Sequence, residues 1–125
     1  MKEFDVTISR SSRELTGRER LMVKDTLNAL GIDEATQDGS IDITPDFYAV
    51  LDVHNEYAKG DKDYQQLVII STDSVKYSTS SRSFIEAFLS IAEEMSGEEE
   101  IWTVEAYRVP SKNYTGKEFL SCSIK

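Results

Sequence analysis

The sequence predicts a single α+β domain spanning residues 1–125, a mainly antiparallel sheet of five to seven strands with two helices. Three observations predict it. Period-two alternation of apolar and polar residues recurs in short segments, among them Phe4-Val6-Ile8 and Phe47-Ala49-Leu51-Val53. One segment, Phe84 to Met95, carries apolar residues at helical spacing. The connections between segments are short, which favours antiparallel neighbours, and 125 residues suit one domain rather than two.

Phe4, Val6 and Ile8 alternate with Asp5, Thr7 and Ser9 as a half-buried strand. Thr16 and Glu19 form a capping box, in which each side chain satisfies the other's backbone amide. The helix it opens is predicted from about Gly17 to Leu30, with Val23, Leu27 and Leu30 as its apolar stripe and Gly31 as a left-handed cap. Ile41 and Ile43 suggest a short strand. The next strand places Phe47, Ala49, Leu51 and Val53 on one face and Tyr48, Val50, Asp52 and His54 on the other. Asn55 to Asp63 reads as a polar loop with Gly60, and Leu67 to Ile70 as an apolar strand. Ser71 to Ser74 turns into Val75-Lys76-Tyr77.

Ser83 and Glu86 suggest a second capping box. The helix behind it buries Phe84, Phe88, Ile91 and Met95 and ends at Gly97. Ile101 to Val109 is a strand with Trp102, Val104 and Ala106 on one face and Thr103, Glu105 and Tyr107 on the other. A turn over Pro110 to Lys117 leads to a last strand from Phe119 to Ile124.

Composition bounds the chemistry. One cysteine, Cys122, gives no internal disulfide framework and fits a reducing cytosol. No apolar run approaches the roughly 20 residues that span a bilayer, and the N-terminus lacks the apolar segment of a signal peptide. The expectation is a cytoplasmic protein of a bacterial cell with no membrane partner. Nucleotide-binding loops, nucleophile elbows and zinc-protease motifs are absent, and the single histidine limits acid–base chemistry. The chain is therefore read as no enzyme, with no cofactor. The nearest approach to a metal site is Asp52, His54 and Glu56, alternate strand residues that share a face, to which Asp61 and Asp63 could add oxygens. A polar strand end running into a loop explains the same residues.

Charge is unevenly placed. The net charge is −9, from 14 Lys and Arg against 23 Asp and Glu. Residues 1–24 hold six cations against four acids, and residues 107–125 hold four cations against one acid. The two ends thus sum to +2 and +3, and the centre carries −14. The C-terminal hairpin interleaves Tyr107, Arg108, Lys112, Tyr114, Lys117 and Phe119. Cations that follow phosphates and rings that stack bases are how single-stranded nucleic acid is held without sequence readout. Tyr107, Arg108, Lys112, Tyr114 and Lys117 are the expected contacts, extended by Arg10 and Arg13. The acidic centre supports a different class of function. Asp33, Glu34, Asp38, Asp42 and Asp46, with Glu98, Glu99 and Glu100, are the expected interface of a DNA mimic that occupies a basic partner.

Three segments carry a family likeness. They are Ile8-Ser9-Arg10-Ser11-Ser12-Arg13-Glu14-Leu15-Thr16, Ile43-Thr44-Pro45-Asp46-Phe47-Tyr48-Ala49-Val50, and the run from Tyr107 to Phe119. Together they resemble small proteins of Firmicutes phages and integrative mobile elements, some of them carried as single-stranded-DNA-binding proteins. The resemblance implies a setting, a mobile element inside a bacterium, and no site residues. In that setting the first expectation is a non-enzymatic single-stranded-DNA-binding accessory protein. The alternative is an acidic, anti-CRISPR-like inhibitor that blocks a host defence nuclease. A homo-oligomeric scaffold is the third.

Overall fold

The computed structural model describes residues 4–112 and 115–125. The α+β class holds, with one more strand and one more helix than the upper expectation. Among the described residues eight strands form two sheets: β1 (Phe4–Ser11), β2 (Leu30–Gly31), β3 (Ile41–Ile43), β4 (Pro45–Asn55), β5 (Asp63–Ser71), β6 (Lys76–Thr79), β7 (Val104–Pro110) and β8 (Glu118–Ile124). The helices are α1 (Gly17–Lys24), α2 (Ile32–Ala35) and α3 (Arg82–Met95). One sheet has the order β1-β4-β5-β6-β2 and the other β3-β7-β8. Every pairing is antiparallel except β2 with β6.

β4 is the hub because both of its faces are apolar. Tyr48 and Val50 face a core with Leu67 and Ile69 of β5, Phe84 and Phe88 of α3, and Val104, Ala106, Leu120 and Cys122 of the smaller sheet. Phe47, Ala49, Leu51 and Val53 face a second core with Val68 and Ile70, closed by Leu15 and by Val23 of α1. The alternation read from the sequence is the alternation between these two cores.

α1 is shorter than expected. Its capping box is present: the Thr16 hydroxyl accepts from the Glu19 amide at 3.2 Å, and the Glu19 carboxylate accepts from the Thr16 amide at 2.9 Å. The helix stops at Lys24, where Asp25 leaves helical geometry and its carboxylate accepts the Leu27 amide at 3.2 Å. Leu27, expected in the core, is 94% exposed. Leu30 and Gly31 leave the helix to pair in parallel with Tyr77 and Ser78. Gly31 is extended, with φ −68°, and precedes α2 rather than capping α1 in a left-handed turn.

α3 begins two residues earlier than its predicted box, with Ser81 rather than Ser83 as its N-cap. Ser81 accepts the Phe84 amide, whereas the Ser83 hydroxyl donates to the Leu120 carbonyl at 2.6 Å and so ties the helix to β8. Gly97, at φ +89°, follows the Ser96 C-cap in the left-handed region that glycine enters without strain. No helix among the described residues is long and apolar enough to cross a membrane.

Candidate functional site

The outer face of β3-β7-β8 is open. Along β7, Val104 and Ala106 point into the core, so Glu105, Tyr107 and Val109 point outward. Along β8, Leu120 and Cys122 point inward, which turns Phe119, Ser121 and Ser123 out. None of these six outward residues is buried. Register pairs Tyr107 with Ser121 and Val109 with Phe119, so Tyr107 and Phe119 are diagonal neighbours on one face. The Tyr107 hydroxyl is hydrogen-bonded to the Ser123 hydroxyl, which orients the ring. Phe119 is 43% exposed despite being a large hydrophobic residue. Lys112 and Lys117 are exposed on the connection between the two strands, and the Ser111 amide donates to the Lys117 carbonyl at 2.9 Å across it. Tyr114 lies outside the described residues.

The other expected contacts are placed elsewhere. Arg108 alternates onto the inner side of β7 and donates to the Thr36 hydroxyl at 3.3 Å and to the Asp33 carbonyl. It closes the C-terminal end of α2, whose carbonyls need donors. Arg13 makes a bidentate pair with Glu19 at 2.8 and 2.7 Å, and its guanidinium lies 5.0 Å from the centre of the Phe47 ring. Phe47 belongs to the core on the opposite side of the larger sheet from α3 and the hairpin. Arg13 therefore does not share a surface with Tyr107 and Phe119. Arg10 is exposed on β1, where a register shift after Ile8 sets it opposite Val50.

The expected acidic interface is also divided. Asp33 accepts from the Thr79 hydroxyl at 2.7 Å, and Asp42 pairs with Lys125 at 2.7 Å. Glu34 on α2 and Asp38 in the turn beyond it are exposed, as are Asp46 near the start of β4 and Glu98, Glu99 and Glu100 after α3.

A cleft of about 810 Å³ opens between α3 and the far end of the larger sheet. Its origin is in the inward face of β4, which changes from Tyr48 and Val50 to Asp52 and His54 halfway along. Phe84 and Phe88 cover the apolar half and leave the polar half open. Across β1, β4 and β5 the polar rows are Asp5-His54-Asp63 and Thr7-Asp52-Gln65. Arg82 and Glu86 face them from α3.

Within this cleft the Asp52, His54 and Glu56 set comes apart. Asp52 accepts from Gln65 at 3.2 Å, while His54 holds Asp63 at Nδ1 and Glu56 at Nε2, both at 2.7 Å. Both ring nitrogens lie at hydrogen-bond distance from carboxylates, so the ring is already engaged on both sides. Among the described residues no group of three or more His, Cys, Asp or Glu is arranged to hold a metal ion. Asp5, Arg82 and Glu86 carry no local signal that would place them here; only strand register and helix packing bring them to His54. Cys122 is buried, and burial pushes its thiol up to about 12, which leaves it a packing residue rather than a nucleophile.

No known protein family, curated protein or solved structure matches the chain.

Proposed function

We propose that the protein binds single-stranded DNA, without catalysis, on the outer face of β3-β7-β8. The observation that carries this is the diagonal pair Tyr107 and Phe119 on an open antiparallel face, at the end of which the chain presents Lys112 and Lys117. Rings on a flat, rigid face stack bases at about 1–3 kcal/mol each. The lysines supply phosphate contacts. A negative total charge does not oppose this, because exposed charges beyond roughly 8 Å are screened at physiological salt. The site is smaller than the sequence alone implied, because Arg108 and Arg13 are committed to Asp33 and Glu19. The mobile-element setting implied by the resemblance makes an accessory role in replication the natural context.

A labelled oligo(dT) titrated at increasing salt tests this. Binding is expected at low salt, with a salt slope that falls by about 0.7 for each of Lys112→Ala and Lys117→Ala. Absence of binding at low salt overturns the proposal.

A second proposal, an acidic surface that occupies a basic host protein, draws on one observation. The cleft gathers Asp5, Asp52, Asp61, Asp63 and Glu86 around a concave surface that holds Arg82 as its strong cation. It requires a stoichiometric complex with a lysine- or arginine-rich protein and no affinity for oligo(dT).

A further inference from the structure

His54 is the penultimate residue of β4, with Asp5 of β1 on one side and Asp63 of β5 on the other. Its Nδ1 is 2.7 Å from the Asp63 carboxylate and its Nε2 is 2.7 Å from the Glu56 carboxylate. A carboxylate brings only acceptors. A neutral imidazole has one N–H and one lone pair, so it satisfies one of these acids and sets its lone pair against the other. An imidazolium donates to both.

The two acids stand at opposite ends of one loop. Glu56 follows the last residue of β4, and Asp63 is the first residue of β5. Lys62 reaches back to Glu56 at 3.1 Å, and the Asn55 amide donates to the Lys62 carbonyl at 2.7 Å. Within the loop, the Tyr57 amide donates to the Asn55 side chain at 3.0 Å and the Ala58 amide to the Asn55 carbonyl at 3.1 Å. Asp61 and Asp63 also line the cleft, so this loop forms part of its rim.

We propose that His54 is a pH-operated clasp on the loop at residues 56–62. Protonated, it holds both ends of the loop and fixes the rim of the cleft. Deprotonated, it releases one carboxylate and the loop loosens. The charged groups that face the ring come from every neighbouring element: Asp5 from β1, Asp52 from β4, Glu56, Asp61 and Lys62 from the loop, Asp63 from β5, and Arg82 and Glu86 from α3. Acids predominate among them, which favours the protonated ring. Consistent with that surrounding, Asp63 first and Glu56 second raise the imidazole above its ordinary value.

Nitrogen-detected NMR of the whole ¹⁵N-labelled protein tests the clasp. At low pH both ring nitrogens are expected to carry protons. As pH rises through the His54 midpoint, exchange of the Asn55, Tyr57 and Ala58 amides, corrected for its intrinsic pH dependence, is expected to quicken roughly two- to fivefold. His54→Gln is expected to abolish that step. Glu56→Gln and Asp63→Asn, which keep the imidazole, are each expected to move the midpoint down. A step that persists in His54→Gln, a midpoint unmoved in both carboxylate variants, or a wild-type titration without any change in loop exchange would overturn the proposal.

Discussion

The Arg108 guanidinium of β7 donates a hydrogen bond to the Asp33 backbone carbonyl of α2, and so joins the smaller sheet to the short helix between β2 and β3. The same guanidinium reaches the Thr36 hydroxyl, itself buried and bonded to the Ile32 carbonyl at 2.9 Å. Removing it leaves carbonyls at a helix end without their charged donor. Arg108→Ala is expected to cost about 1–2 kcal/mol in urea unfolding, the range for a partly exposed charged hydrogen bond. Its affinity for oligo(dT) is expected to stay near that of the parent. A loss of affinity equal to that of Lys117→Ala, with unchanged stability, would return Arg108 to the binding surface.

Glu19 sets an acid limit on the N-terminal segment. The Arg13 pair first, and the Thr16 amide second, lower its carboxyl from 4.5 to about 2. A depressed carboxyl stabilises the fold above its unfolded value and loses that contribution as pH falls through its folded value. Glu19→Gln is therefore expected to unfold at a lower temperature than the parent at neutral pH. The difference should shrink between pH 4.5 and 2 and vanish below. A difference that grows on acidification would contradict the ion pair.

Phe88 and Leu27 separate the real core from the apparent one. Phe88 meets Tyr48 edge-on at 5.1 Å and lies 5.8 Å from Trp102, fully buried. Phe88→Ala is expected to cost about 3–5 kcal/mol. Leu27→Ala, at a site 94% exposed, is expected to stay within about 0.5 kcal/mol. Chemical unfolding of the two variants side by side measures both.

Cys122 is expected to resist thiol reagents in the folded protein at neutral pH, since burial pushes its thiol up to about 12. It should react fully in denaturant. Rapid reaction under native conditions would place it outside the core formed by Ala106 and Leu120.

Repeating local patterns carry much of the fold, whereas single positions and element ends depend more on distant partners. The two faces of β4 are realised, and the α3 stripe is realised at Phe84 and Phe88, while Ile91 is partly buried and Met95 stays outside the core. Val23, Leu27 and Leu30 also have helical spacing, yet β6 draws Leu30 and Gly31 into a strand pair with Tyr77 and Ser78, each 47 positions away. Ser83 satisfies a capping pattern, but the Leu120 carbonyl takes its hydroxyl and Ser81 caps instead. Arg108 was legible in principle. Strand parity puts it with Val104 and Ala106, on the side away from Tyr107. The His54 pairing was half legible: alternation places Asp52 and His54 together, whereas Asp63 reaches the ring only through the β4–β5 register.

Mapping oligo(dT) onto the ¹⁵N-labelled protein by chemical-shift perturbation tests the central claim most directly. The account requires the largest shifts on the outer face of the hairpin, at Glu105 to Val109 and Phe119 to Ser123, with little change along α1 or in the cleft around His54. In Tyr107→Ala and Phe119→Ala the affinity should fall by about 1–3 kcal/mol each. Shifts confined to the cleft or to the Arg10–Arg13 segment, or none at all at low salt, would contradict it.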